Sequence, residues 1–77
     1  MTITPAQIRG ARAMLKMLQS ELAVEAGLTP KAMNSIETEA ATPRAGTLER
    51  IRTALEQKGV VFFESDEGRG VMLKDDK

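Results

Sequence analysis

The stretch AGLTPKAMNSIE, residues 26–37, reads as the end of one helix, a tight turn and the start of another. Gly27 suits the left-handed position that closes a helix, because it has no Cβ to clash there. Leu28 is the apolar residue of the turn. Thr29 suits the N-cap of the next helix, where its hydroxyl can accept a free backbone N–H, and Pro30 suits the first helical position. Met33 and Ile36, three apart, face inward. This is the punctuation of a helix-turn-helix unit. Yet the new helix carries one positive charge, Lys31, in a chain of formal net charge +0. Whether such a helix can read a polyanion is the question the stretch raises.

Upstream, QSELAVEAG (19–27) reads as a short helix with Leu22, Ala23 and Ala26 on its inner face. Ala23 is small where the two helices must cross. Gln19 opens this helix, so its amide and the first free N–H groups face outward together, an arrangement suited to phosphate. Further upstream, TPAQIRGARAMLKM (4–17) opens with Thr4 as N-cap, Pro5 at the first position and Gln7 completing a capping box. Ile8, Ala11, Arg12 and Leu15 follow at helical spacing, so an Arg sits within the apolar face. Gly10 costs about 1 kcal/mol against Ala in mid-helix and marks a close approach if it marks anything.

Downstream, TEAATPRAG (38–46) reads as a loop, with Pro43 barring helix continuation. TLERIRTALEQKG (47–59) is the clearest amphipathic helix, with Leu48, Ile51, Arg52 and Leu55 on one side and Gly59 as its stop. The period then changes. VVFFE and GVMLK are short β-branched and aromatic runs joined by SDEGRG, the pattern of a two-stranded hairpin with a glycine-containing loop. Val61 and Phe63 point one way, Val60 and Phe62 the other; Val71 and Leu73 oppose Met72. Both faces are apolar, and a lone hairpin can hide one of them against the helices. A second subunit burying the other gives Val60, Phe62 and Met72 as expected dimer-interface residues, with the pairing strand left open.

The bulk numbers bound what such a chain can do. Its 77 residues make one small domain, with 42% hydrophobic, 29% charged and 3% aromatic residues. A chain this size buries roughly 60% of its unfolded surface, so a partner subunit would help it. There is no Cys and no His, which removes disulfides, the usual zinc sites and the usual nucleophiles and general bases. No catalytic residue, metal or cofactor is expected, and an enzyme is disfavoured. Glu21, Glu25, Glu49 and Glu56 read as solvated helix faces. Gly68 and Gly70 lack the strand-to-helix context of a phosphate loop. No apolar run approaches the roughly 20 residues of a membrane span, and the first ten residues lack a signal-peptide pattern, so a cytoplasmic, membrane-free protein is expected. Charge is uneven. Residues 59–77 carry three cations against five acids, −2, which leaves +2 for the first 58 residues. For binding a polyanion the local field matters more than the sum.

In this order of residues the chain resembles the Xre, or phage-repressor-like, family of helix-turn-helix regulators. Members read approximately Ser-Gln-x-x-Leu-Ala-x-x-Ala-Gly-Val-Ser-x-x-Thr-Ile-Ser-x-Ile-Glu-x-Gly, then Pro. Gln19, Leu22, Ala23, Ala26, Gly27, Leu28, Thr29, Met33, Ile36, Glu37 and Pro43 fall in that register, and the resemblance covers roughly residues 5–58. Leu18 replaces the usual Ser cap, and Glu39 stands where Gly or Asn often ends the third helix. GVVFFESDEGRG also looks like a small bacterial subgroup with a β extension. The resemblance implies a mainly α fold: a four-helix, lambda-repressor-like helix-turn-helix domain over residues 1–58, then a C-terminal β-hairpin and short polar tail over 59–77, assembled as a dimer.

The resemblance also implies roles. Thr29, Pro30, Lys31, Asn34 and Ser35 would face bases in the major groove; Gln19, Thr38 and Arg44 would contact phosphate; Arg12 and Glu37 would form an ion pair tying the first helix to the end of the third. The function implied is a sequence-specific transcriptional regulator, a homodimer on an inverted-repeat operator in double-stranded DNA. The competing expectation is an antitoxin-like or anti-activator module that grips another protein with its hairpin. The two are compatible.

Overall fold

The computed structural model describes residues 2–75. Met1 and the last two residues of the expected polar tail, 76 and 77, lie outside the described residues. Four helices, α1 (Pro5–Leu15), α2 (Gln19–Ala26), α3 (Pro30–Glu37) and α4 (Ala45–Glu56), are followed by strands β1 (Val60–Ser65) and β2 (Gly68–Leu73). The mainly α chain with a C-terminal antiparallel hairpin is as expected.

Local chemistry explains the helix ends. At α1, the Thr4 hydroxyl accepts from the Gln7 N–H and the Gln7 Oε1 accepts from the Thr4 N–H, a complete capping box with Pro5 at the first position. Lys16 closes α1 in the left-handed region, φ 54°, and Met17 N–H reaches back to the Arg12 carbonyl. Leu18 has no side chain to cap α2, so the carboxylate of Glu21 accepts the Leu18 N–H at 2.7 Å instead. Gly27 ends α2 at φ 71°. The Thr29 hydroxyl accepts from the Ala32 N–H and opens α3.

Helix α4 departs from expectation at both ends. It starts at Ala45 rather than 47 and stops at Glu56, with Gly59 at φ 97° set beyond it in the turn to β1. Gly46, a poor helix former, is tolerated because it sits in the first turn, where few intrahelical bonds depend on it. The hairpin loop is also shorter than the six residues SDEGRG. Asp66 and Glu67 alone form the turn, and Ser65 pairs with Gly68.

One core holds all six elements. Ile8 and Ala11 of α1, Leu22, Ala23 and Ala26 of α2, Met33 and Ile36 of α3, and Ile51, Ala54 and Leu55 of α4 are buried together. Ile3 and Met17, outside any helix, join them. So do Val60 and Phe62, which are 2% and 6% exposed. This corrects the interface expected from sequence: the Val60 and Phe62 side chains fold onto the chain's own helices and offer no apolar contact to a partner. Residues directly opposite in an antiparallel pair share a face. The register Phe62↔Val71 and Val61↔Met72 therefore sets Val60, Phe62 and Val71 inward and Val61, Phe63 and Met72 outward. Met72 is exposed. The boundary between residues 58 and 59 accordingly does not divide the core.

Gln7 fastens the hairpin to α1. While its oxygen caps the helix, its Nε2 donates to the Gly70 carbonyl at 2.9 Å and, more weakly, to that of Phe63 at 3.4 Å. Gly10 does mark a close approach: a Cβ there would stand 3.4 Å from a methyl of Val71. On the outer face the Phe63 ring lies over Gly70, where a Cβ would meet it at 2.6 Å.

Candidate nucleic-acid interface

Helix α3 is held by its far end. Arg12 grips Glu37 with both prongs of its guanidinium, Nε to Oε2 at 2.8 Å and Nη2 to Oε1 at 2.7 Å, while Nη1 donates to the Met17 carbonyl at 3.0 Å. The Glu37 side chain is 2% exposed and that of Arg12 22%. No buried side-chain polar atom among the described residues is left without a partner. Arg9 adds a bond that sequence reasoning missed, its Nη1 donating to the Glu37 carbonyl. Its spacing three residues before Arg12 was the available signal, since i and i+3 share a helix face.

Anchoring Met33, Ile36 and Glu37 inward turns the opposite face of α3 to solvent. Pro30, Lys31 and Asn34 are exposed, Ser35 is half-buried, and Thr38 continues the same stripe. The 3.6-residue period gathers these five positions on one surface. Thr29, Lys31 and Ser35 then meet Arg44 and Thr47 around one open hollow of about 580 Å³, with Leu28, Ile36 and Pro43 among its apolar lining. Thr47 was missed because its stretch was read as the start of a helix that in fact begins at Ala45. Arg44 is the N-cap of α4 and offers no side-chain cap, so the Ala45, Gly46 and Thr47 N–H groups at the helix start have no intrahelical acceptor.

The charges sort in the same way. Arg9, Arg12, Arg52, Lys58 and Arg69 each lie within 4.0 Å of an acid. Among the described residues Lys16, Lys31, Arg44, Arg50 and Lys74 form no ion pair, and two of those five share the hollow. An unpaired cation needs no internal bond broken before it meets an anion.

Two expected phosphate contacts stand differently. Gln19 lies on α2, in the first turn where Glu21 already supplies a carboxylate to the helix start. Thr38 donates its hydroxyl proton to the Asn34 carbonyl at 2.8 Å, so in this conformation it has none to give a phosphate. Among the described residues no cluster of acids, His or Cys could hold a metal, and no helix is long and apolar enough to cross a membrane. No protein-family model and no curated protein matches this chain.

Proposed function

We propose that this chain is a sequence-specific DNA-binding regulator that lays α3 in the major groove and works as a homodimer on a two-fold site. The observation that carries the reading is the pairing of a locked end with a free surface: α3 is fixed through Glu37, while Lys31, Asn34 and Ser35 stand outward beside Arg44. Lys31 is the residue suited to a guanine edge, Asn34 to an adenine, and Ser35 to either. Thr29 and Pro30 add shape and apolar contact at the helix start. Arg44 and the free N–H groups at the start of α4 take phosphate, which fixes position and brings salt dependence. The helix is thus able to read DNA with one positive charge, because the phosphate load lies on neighbouring elements.

Few free cations mean weak binding to random DNA. The test is selection of bound sites from a random duplex pool, followed by a gel shift of the winner against scrambled DNA at physiological salt. Enrichment of an inverted repeat, bound at least about a thousandfold more tightly than the scramble, is the expected result. No enrichment removes the proposal.

A second reading has its own observation. Phe63 and Met72 are 45% and 50% exposed on the outer face of the hairpin, which suits an antitoxin-like or anti-activator grip on another protein. Pull-down with and without the hairpin's outer side chains, beside the gel shift, separates the two. A stable heterocomplex with no shifted DNA favours the second.

A further inference from the structure

The hairpin of a single subunit leaves a strand edge and an apolar face without partners. Lys74 donates its N–H to the Gly59 carbonyl at 2.9 Å. Hydrogen-bonded and non-bonded pairs alternate along an antiparallel ladder. With Val61 opposite Met72 and Phe63 opposite Gly70, the odd residues of β1 turn their N–H and C=O groups toward β2. Val60, Phe62 and Glu64 turn theirs to the open edge, and the described backbone bonds from outside the hairpin reach none of them. Beside that edge the outer face presents Val61 and Phe63.

We propose that β1 pairs with β1 of a second copy of this chain, antiparallel about a two-fold axis at Phe62. The two hairpins then form one four-stranded sheet. This rests on the reading that the chain acts in pairs on two-fold DNA and names the surface that makes the pair. Two observations favour this seam. The axis at Phe62 sets Val60 opposite Glu64 of the partner subunit, so the outward backbone groups from 60 to 64 all find partners. It also sets Val61 beside Phe63 of the partner subunit, twice, and aromatic–β-branched neighbours stabilise cross-strand pairs. An axis one residue earlier would place Phe63 against Gly59, and one residue later Val61 against Ser65.

The other edge is less suited. A β2 pair about Val71 would set Glu67 against Asp75 and leave Phe63 outside the seam, and β2 is also the strand that packs along α1. No hairpin residue lines the hollow beside Lys31 and Arg44, so the sheet leaves both reading surfaces free.

The chain has no cysteine, so single-cysteine variants report cleanly. Val61→Cys and Phe63→Cys chains, mixed and mildly oxidised, are expected to join as mixed disulfide dimers in clear excess over either same-variant dimer. A directly opposed, non-bonded pair lies within disulfide reach. Sedimentation gives a second reading that does not touch the Phe63–Gly70 packing. Wild type should be a dimer, and Val61→Lys, which sets an unpaired charge against Phe63 of the partner subunit at two places, should be a monomer that keeps its fold by circular dichroism. A wild-type monomer, or mixed disulfides no commoner than same-variant ones, overturns the seam, including where the monomer gathers on another protein. A gel shift on the same samples separates the claims. A monomer that still binds its selected site removes the seam alone; a 61–63 linked dimer that binds no DNA keeps the seam and removes the DNA reading.

Discussion

The two ends of α3 are built on opposite principles. At its C-terminal end, Glu37 is almost fully buried and Arg12 and Arg9 converge on its carboxylate and carbonyl. At its N-terminal end, Thr29 caps the helix and Pro30 and Lys31 are exposed, with Lys31 unpaired among the described residues. The difference teaches how a small protein can aim a helix. A fixed end sets the angle, and a free end keeps its donors uncommitted. Reading needs both, because a wobbling helix loses register and a bonded side chain has nothing left to offer.

Breaking the fixed end should have the largest effect. Arg12→Ala leaves the Glu37 carboxylate buried with Arg9 reaching only its carbonyl. Loss of one partner from such a pair costs about 3–5 kcal/mol, or a fall of roughly 15–30 °C in thermal midpoint for a chain this small. Arg12→Lys should recover part of it, since an ammonium cannot make the two-pronged contact. A melt within a few degrees of wild type would mean that the end of α3 is held by packing alone.

Changes at the free end should spare stability and alter binding. Lys31→Ala is expected to weaken the selected site by about 1–3 kcal/mol and to relax choice at one base pair. Arg44→Ala should instead weaken all duplexes alike and reduce the slope of log K against log salt by about 0.9. Salt titrations of both variants on selected and scrambled DNA tell them apart. If Lys31→Ala binds the selected site as wild type does, Lys31 is a solvated helix charge and the reading surface lies elsewhere. Thr29→Ala touches both functions of this end. It removes the α3 cap, at about 1 kcal/mol of stability by denaturant unfolding, and frees the Ala32 N–H beside the hollow.

Much of this comparison was legible before any coordinates. Thr4, Gln7, Thr29, Pro30 and Gly27 signal helix ends by chemistry that acts over three or four residues, and those ends fell where expected. Arg12 and Glu37 were expected from their place in a familiar pattern, and they meet. What sequence misread was set by distance. Val60 and Phe62 alternate with Val61 and Phe63, and local pattern shows two apolar faces without saying which one the helices cover. That choice depends on contacts more than fifty residues away in sequence, among them Gln7 of α1, which bonds the Gly70 carbonyl of β2. The start of α4 was misread because Ala45 and Gly46 carry no cap signal, and Arg44 caps with backbone alone. Thr38 shows the remaining gap: its residue type suits a phosphate, but its proton is already given to Asn34.

The smallest expected effect lies just past the fixed end. Glu39 sits at φ 64°, in the left-handed region that glycine occupies without steric cost. Ala40 N–H reaches back to the Ser35 carbonyl around it, so the conformation is imposed by the closing turn of α3. The side chain returns little for the strain, since its carboxylate stands 4.0 Å from Arg9 with both groups largely exposed, and such pairs contribute little. Glu39→Gly should therefore raise stability by about 0.5–1 kcal/mol in denaturant unfolding. It should also tighten DNA binding, because it removes a negative charge next to the α3 stripe and leaves Arg9 bonded to the Glu37 carbonyl. A gain in stability with no change in DNA affinity at low salt would place the phosphate backbone away from the C-terminal end of α3. The bound duplex would then lie toward the Lys31 and Arg44 hollow.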